Sequence, residues 1–145
     1  MKRIKRSVLV PHPASLMYDL VWDVDRYCTF LPWCGGSKIL KATKDTLVAR
    51  IDIDFHGVKA HFTTRNEGVP DTSIVVTLVD GPFRQLHGEW RFKALKKDAC
   101  KVEFELAYEF ANAVLEAAVG PVFDKIASTF VEAFVKRADA QSGNA

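Results

Sequence analysis

Asp52, Asp54 and His56 recur at alternate positions, and His61 follows five residues later. By residue type this set could hold a divalent metal. Carboxylates at every second position are also what a strand shows to water, and here they alternate with Ile51, Ile53 and Phe55. The solvated-face reading is adopted, and it extends to Glu103, Glu105 and Glu109 on a later segment. The three cysteines, Cys28, Cys34 and Cys100, are odd in number and contain no C-x-x-C pair. A disulfide framework or a zinc site would need more thiols at tighter spacing. No G-x-S-x-G occurs and no histidine lies close in sequence to a cysteine, so no nucleophile–base pair is indicated unless distant residues meet in space. No catalytic residue and no metal ligand is assigned.

The aromatic residues carry more. Phe55, Phe62, Trp90, Phe92, Phe104, Phe123 and Phe130 fall on core-facing parities, while Phe30 and Trp33 lie in a short helical region at one end. Such rings pack a core anywhere. On a strongly curved sheet they also line the space that one covering helix cannot fill. The expected ligand-binding set is Phe30, Trp33, Phe55, Phe62, Trp90, Phe92, Phe104, Tyr108, Phe123, Ile126 and Phe130. Polar contacts to a ligand could come from the indole N–H groups of Trp33 and Trp90 or the hydroxyls of Tyr27 and Tyr108.

These residues need elements to hold them. A chain of 145 residues with 48% hydrophobic content suits one domain with a substantial core. A single domain over residues 1–140 with a flexible tail at 141–145 is expected. No apolar run approaches the roughly 18 residues of a membrane span. The basic N-terminus is followed only by Val8-Leu9-Val10 before Pro11, too short for the core of a signal peptide. A cytoplasmic protein, with contact at the inner membrane surface as a possibility, is the resulting expectation.

Arg3 to Val10 reads as a strand, closed by Pro11-His12-Pro13. Helical spacing follows from Ala14 through Leu16, Leu20 and Val21. A second short helical turn spans Arg26 to Leu31, with Asp25 as its expected cap. Period-two segments then run from Thr46 to Phe110, broken at Gly57, at Asn66-Glu67-Gly68, at Pro70-Asp71, at Gly81-Pro82 and at Lys96 to Ala99. Joined by short turns, they predict an antiparallel meander of about six strands. Asn112 to about Ala140 carries Leu115, Val119, Val122, Phe123, Ile126, Phe130, Phe134 and Val135 at steps of three and four, a broad helical stripe. Gly120-Pro121 predicts a kink or break within it. The order is that of an α+β helix-grip fold: a curved antiparallel sheet wrapped around a long C-terminal helix, with two short helices after the first strand. The pocket between helix and sheet suits an apolar ligand.

Three stretches carry a family resemblance. They are Asp25-Arg26-Tyr27 with Phe30-Leu31-Pro32-Trp33-Cys34, then Gly81-Pro82-Phe83 with Leu86, Gly88, Trp90 and Phe92, and the helical run Gly120 to Ala127 ending in Ala133 to Ala138. In this order and spacing the chain resembles the bacterial RatA proteins and their coenzyme Q-binding relatives in the START-like (polyketide cyclase/dehydrase) superfamily. The resemblance spans Lys2 to about Ala138. It departs at the tail, where Gln141 to Ala145 replaces the Tyr-Gly ending of many relatives. It implies the helix-grip fold and two different activities. One is non-enzymatic binding of ubiquinone or a similar isoprenoid lipid, in support of respiratory electron transport; apolar walls suit the tail, and one or two donors suit the carbonyls. The other is a toxin that binds the large ribosomal subunit and blocks subunit joining. The clusters Lys2-Arg3, Lys5-Arg6, then Lys38, Lys41, Lys44, and finally Lys136-Arg137, would serve rRNA or an anionic membrane. They would equally serve as lysine protection of an edge strand. The ubiquinone reading leads.

Overall fold

A computed structural model describes residues 1–142. The elements are β1 (Lys2–Val10), α1 (Ala14–Trp22), a 3-10 turn (Val24–Thr29), β2 (Cys34–Ala42), β3 (Thr46–Phe55), β4 (Val58–Val69), β5 (Ser73–Asp80), β6 (Phe83–Lys96), β7 (Ala99–Phe110) and α2 (Ala113–Ser142). The seven strands form one antiparallel sheet in the order β1-β7-β6-β5-β4-β3-β2. Strands β2 to β7 are a plain meander. β1 closes it at the far edge against β7, so α1 and the 3-10 turn carry the chain from one edge of the sheet to the other. This is the expected α+β helix-grip arrangement.

The alternation of residue types explains which face is buried. Along β7, Cys100, Val102, Phe104, Leu106, Tyr108 and Phe110 are buried, and the residues between them are half-exposed. Leu47, Ala49, Ile51 and Ile53 do the same on β3. Helix α2 lies on this apolar face and buries Val119, Phe123, Ile126, Ala127, Val131, Phe134 and Ala138. Its start is fixed by Asn112, whose side-chain oxygen accepts the backbone N–H of Leu115 at 2.9 Å. The two edge strands carry Lys2, Lys5, Lys38 and Lys41, the charged-edge device that discourages strand addition.

Several expectations are corrected. The helix does not break at Gly120-Pro121; Pro121 lies inside one continuous α2. Its ring points to solvent, where the missing backbone donor is least costly. Asp25 does not cap the 3-10 turn. It sits within it, and its carboxylate accepts the backbone N–H of Ile39 at 2.9 Å, tying the turn to β2. Asn66-Glu67-Gly68 is not a turn but the end of β4. Gly68 is there because α1 rests on it: a Cβ would meet the Tyr18 hydroxyl and stand 2.8 Å from Trp22 Cζ3. Gln141 and Ser142, expected in the tail, belong to α2. The remaining expected tail residues, 143–145, lie outside the described residues.

Cys28 and Cys34 form a disulfide, with Cα atoms 5.0 Å apart, where no pairing was expected. Spacing along the sequence gives no hint of it, because the 3-10 turn and the start of β2 fold back on each other. Cys100 is a buried free thiol.

Candidate functional site

Between α2 and the sheet lies a cavity of about 70 Å³, partly open to solvent. That is well below the roughly 300–1,000 Å³ of small-molecule sites, so side chains must move apart to admit a ring-bearing ligand. Phe123, Ile126, Ala127 and Phe130 of α2 form one wall. Ile51 of β3, Phe62, Thr64 and Asn66 of β4, Ile74 and Val76 of β5, Leu86, Gly88 and Trp90 of β6, and Phe104 and Leu106 of β7 form the floor. Val21, Val24, Tyr27 and Trp33 close one end. The lining is overwhelmingly apolar.

Seven of the eleven residues singled out from the sequence line this space: Trp33, Phe62, Trp90, Phe104, Phe123, Ile126 and Phe130. The aromatic members support one another. Trp90 lies 4.4 Å from Phe104, 5.5 Å from Phe134 and 5.8 Å from Phe130, measured between ring centroids. The other four sit outside the lining. Phe30 packs 5.2 Å from Phe134 with the Arg137 guanidinium over its ring. Phe55 lies beside His56 with Lys125 above it. Phe92 stacks behind Trp90 and meets the edge of Tyr18. Tyr108 faces Phe123, and its hydroxyl donates to Asp124 at 2.6 Å. For Phe55, Phe92 and Tyr108 the parity is right, but position along the strand carries the ring beyond the hollow; Phe30 lies just past the 3-10 turn.

The polar groups are distributed differently from the sequence expectation. Both tyrosine hydroxyls are engaged: Tyr27 donates to the Val21 carbonyl and Tyr108 to Asp124. Burial first, then nearby carboxylates, push both phenols well above their ordinary range. The cavity instead holds a pair that sequence reasoning missed. Thr64 and Asn66 are 3% and 5% exposed, and the Thr64 hydroxyl donates to Asn66 Oδ1 at 2.9 Å. The signal was present, since both continue the inward parity of Phe62. It was hidden by reading Asn66-Glu67-Gly68 as a turn.

The acidic strand face does not gather into a site. His56 is a turn residue with φ 50°, beside Gly57 with φ 78°, and does not share the face of Asp52 and Asp54. Asp52 is paired with Arg50 at 2.9 Å. Among the described residues, no three of His, Cys, Asp and Glu come together where they could hold a metal ion. Likewise Glu103 and Glu105 surround Arg91 in an ion-pair cluster on the outer face.

Residues 10–135 match the family described as polyketide cyclase / dehydrase and lipid transport. The chain belongs to that family. The chain is 46% identical to the ribosome association toxin RatA of Escherichia coli (strain K12) over 138 residues, covering 95% of this chain and 87% of that relative. It is 30% identical to the mitochondrial coenzyme Q-binding protein COQ10 homolog B of Xenopus laevis over 143 residues, covering 94% of this chain and 59% of that longer protein. Among solved structures it is similar to an 18 kDa protein of Caulobacter crescentus, at 32% identity and TM-score 0.75 over 99% of both chains. The Zhui aromatase/cyclase of Streptomyces sp. R1128 superposes with TM-score 0.82 over 94% of this chain and 93% of its own. At 19% identity that likeness shows the fold alone. No helix among the described residues is long and apolar enough to cross a membrane.

Proposed function

We propose that this protein binds a lipophilic, ring-bearing molecule of the quinone type in the cavity under α2, without transforming it. The observation that carries the reading is the chemistry of the lining: aromatic and aliphatic walls between α2 and the sheet with one buried polar pair. Apolar walls favour transfer of an isoprenoid tail from water. A small number of placed polar groups fixes the orientation of a head group. The lining holds no carboxylate, histidine or lysine, and its one tyrosine, Tyr27, gives its proton to the Val21 carbonyl, so no acid–base pair for cyclisation or hydrolysis faces the cavity. The coenzyme Q-binding relative supports ubiquinone as the ligand. Protein purified from a quinone-containing host should carry an extractable quinone, seen by native mass spectrometry. Ala127→Phe, which projects a ring into the lining, should leave the protein folded and the ligand absent. Repeated extraction of no quinone or other lipid from the wild type refutes the reading.

A second reading, ribosome association, is favoured by the 46% identity to a relative named for it, over 87% of that relative. Its surface would be basic, and Arg3, Lys38 and Lys41 stand on the two edge strands. Lys2 and Lys5 are already paired with Asp124 and Glu105. Sucrose-gradient sedimentation separates the readings. Association requires co-migration with the large subunit and fewer joined ribosomes on overexpression; unchanged profiles sink it.

A further inference from the structure

Asn66 occupies a position that the strand pattern would fill with an aliphatic residue. Its cross-strand neighbours are Leu47 on β3 and Val76 on β5, and its side chain faces the cavity. At 5% exposure it has given up bulk water. Its carbonyl oxygen is met by the Thr64 hydroxyl, itself 3% exposed. Its two amide N–H groups have no protein acceptor among the described residues. They open on the cavity rather than on packed protein, so an acceptor for them has to come from whatever fills it. A valine here would pack against Leu47 and Val76 and bring no donor to the cavity.

The indoles of Trp33 and Trp90 can only donate, and neither has an acceptor among the described residues. The Tyr27 proton is directed away, to the Val21 carbonyl. The lining therefore holds three side chains with free donors beside the acceptor lone pairs of the Thr64 and Tyr27 hydroxyls.

We infer that Asn66, braced by Thr64, is the subsite that anchors a carbonyl oxygen of the ligand, so that the cavity selects ring lipids bearing ketone or quinone oxygens over hydrocarbons of equal size. The inference rests on the lipophilic-ligand reading above and adds the group by which the ligand is told apart. Thr64 matters because its hydroxyl holds the amide in the orientation that aims nitrogen, not oxygen, at the ligand. A site built to hydrogen-bond one oxygen discriminates strongly against an analogue lacking it, because the site's own donor is then stranded.

The test uses the whole chain, stripped of lipid, with decylubiquinone and decylbenzene as probes in isothermal titration calorimetry. The wild type should bind decylubiquinone at least about tenfold more tightly than decylbenzene, the gain of one matched buried donor. Asn66→Leu should bring the two affinities within about threefold of each other by weakening only the quinone, and Thr64→Val should fall between. Equal loss of both ligands in Asn66→Leu would mean a packing role, and no loss of either would mean no role; each overturns the inference while leaving the lipophilic-ligand reading intact. A wild type that binds neither probe overturns both. A readout free of any variant is the infrared carbonyl band of decylubiquinone bound to the wild type. One C=O stretch should move to lower frequency on binding, and two unshifted carbonyls overturn the anchor even if Asn66→Leu does not fold.

Discussion

Gly68→Ala tests how closely α1 is laid on the sheet. The added methyl group would stand 2.8 Å from Trp22 Cζ3 and 3.2 Å from Cε3, with the Tyr18 hydroxyl also in its way. None of these can retreat easily. Tyr18 is 6% exposed, stacks on Trp22 at 5.8 Å and meets Phe92 at 5.9 Å, and the glycine's own backbone is held in the β4 ladder. Inserting a methyl group into such packing costs about 1–3 kcal/mol. The stiffer unfolded chain of alanine returns about 0.4–1 kcal/mol. A net loss of roughly 1–2 kcal/mol is expected, read as a lower denaturation midpoint at unchanged slope. Tyr18→Phe removes the most crowded atom. The double variant should recover part of the loss, giving a coupling of opposite sign to the single effects. Gly68→Ala within about 0.5 kcal/mol of wild type, or no recovery with Tyr18→Phe, would refute the packing account.

Three further outcomes follow from the structure. The Cys28–Cys34 bond closes a loop of sequence separation 6, so Cys34→Ser should lose roughly 2 kcal/mol by loop-closure entropy, and a thiol reductant should lower the wild type to the same midpoint. All three tyrosines, Tyr18, Tyr27 and Tyr108, have phenols raised by burial. A raised acid stays protonated in the fold while the unfolded chain loses its proton, so stability falls as pH climbs past the ordinary value of 10.0; phenolate absorbance should appear only with unfolding, and a rise at that pH in the folded protein would contradict the burial. Hydrogen bonds from Lys5 and Arg91 hold the Glu105 carboxyl below its ordinary 4.5. Its contribution is present above that value and lost as pH falls through the lower folded one, so Glu105→Gln should flatten the acid limb of the stability profile.

Much of this molecule is legible in the sequence where neighbouring positions alone decide. The inward rows of β3, β6 and β7 and the stripe of α2 follow from periods of two and of about 3.6. The cavity's aromatic lining was readable for Trp90, Phe104, Phe123 and Phe130 because each lies midway along its element. Phe55, Phe92 and Tyr108 obey the same periodicity yet fall outside the hollow, since depth along a strand is set by register and curvature. Asn66 and Gly68 illustrate the opposite error. Both are turn-forming residue types, and only the tertiary structure explains them: one faces a cavity and the other lies beneath a helix. The Cys28–Cys34 pairing likewise depends on a chain reversal that local spacing does not encode.

β4 places these demands on a single line. Phe62, Thr64 and Asn66 line the cavity in turn, and Gly68 then seats the helix that closes its end. A strand advances about 3.4 Å per residue, so Asn66 stands roughly 7 Å from the Gly68 seat and roughly 14 Å from Phe62. The strand thus acts as a graduated scale with its zero at α1. A ligand anchored at Asn66, as inferred above, would have little room toward α1, and its floor in the other direction would run past Thr64 to Phe62. Moving Gly68 would shift the zero of that scale, and with it the length of ligand that the cavity can enclose.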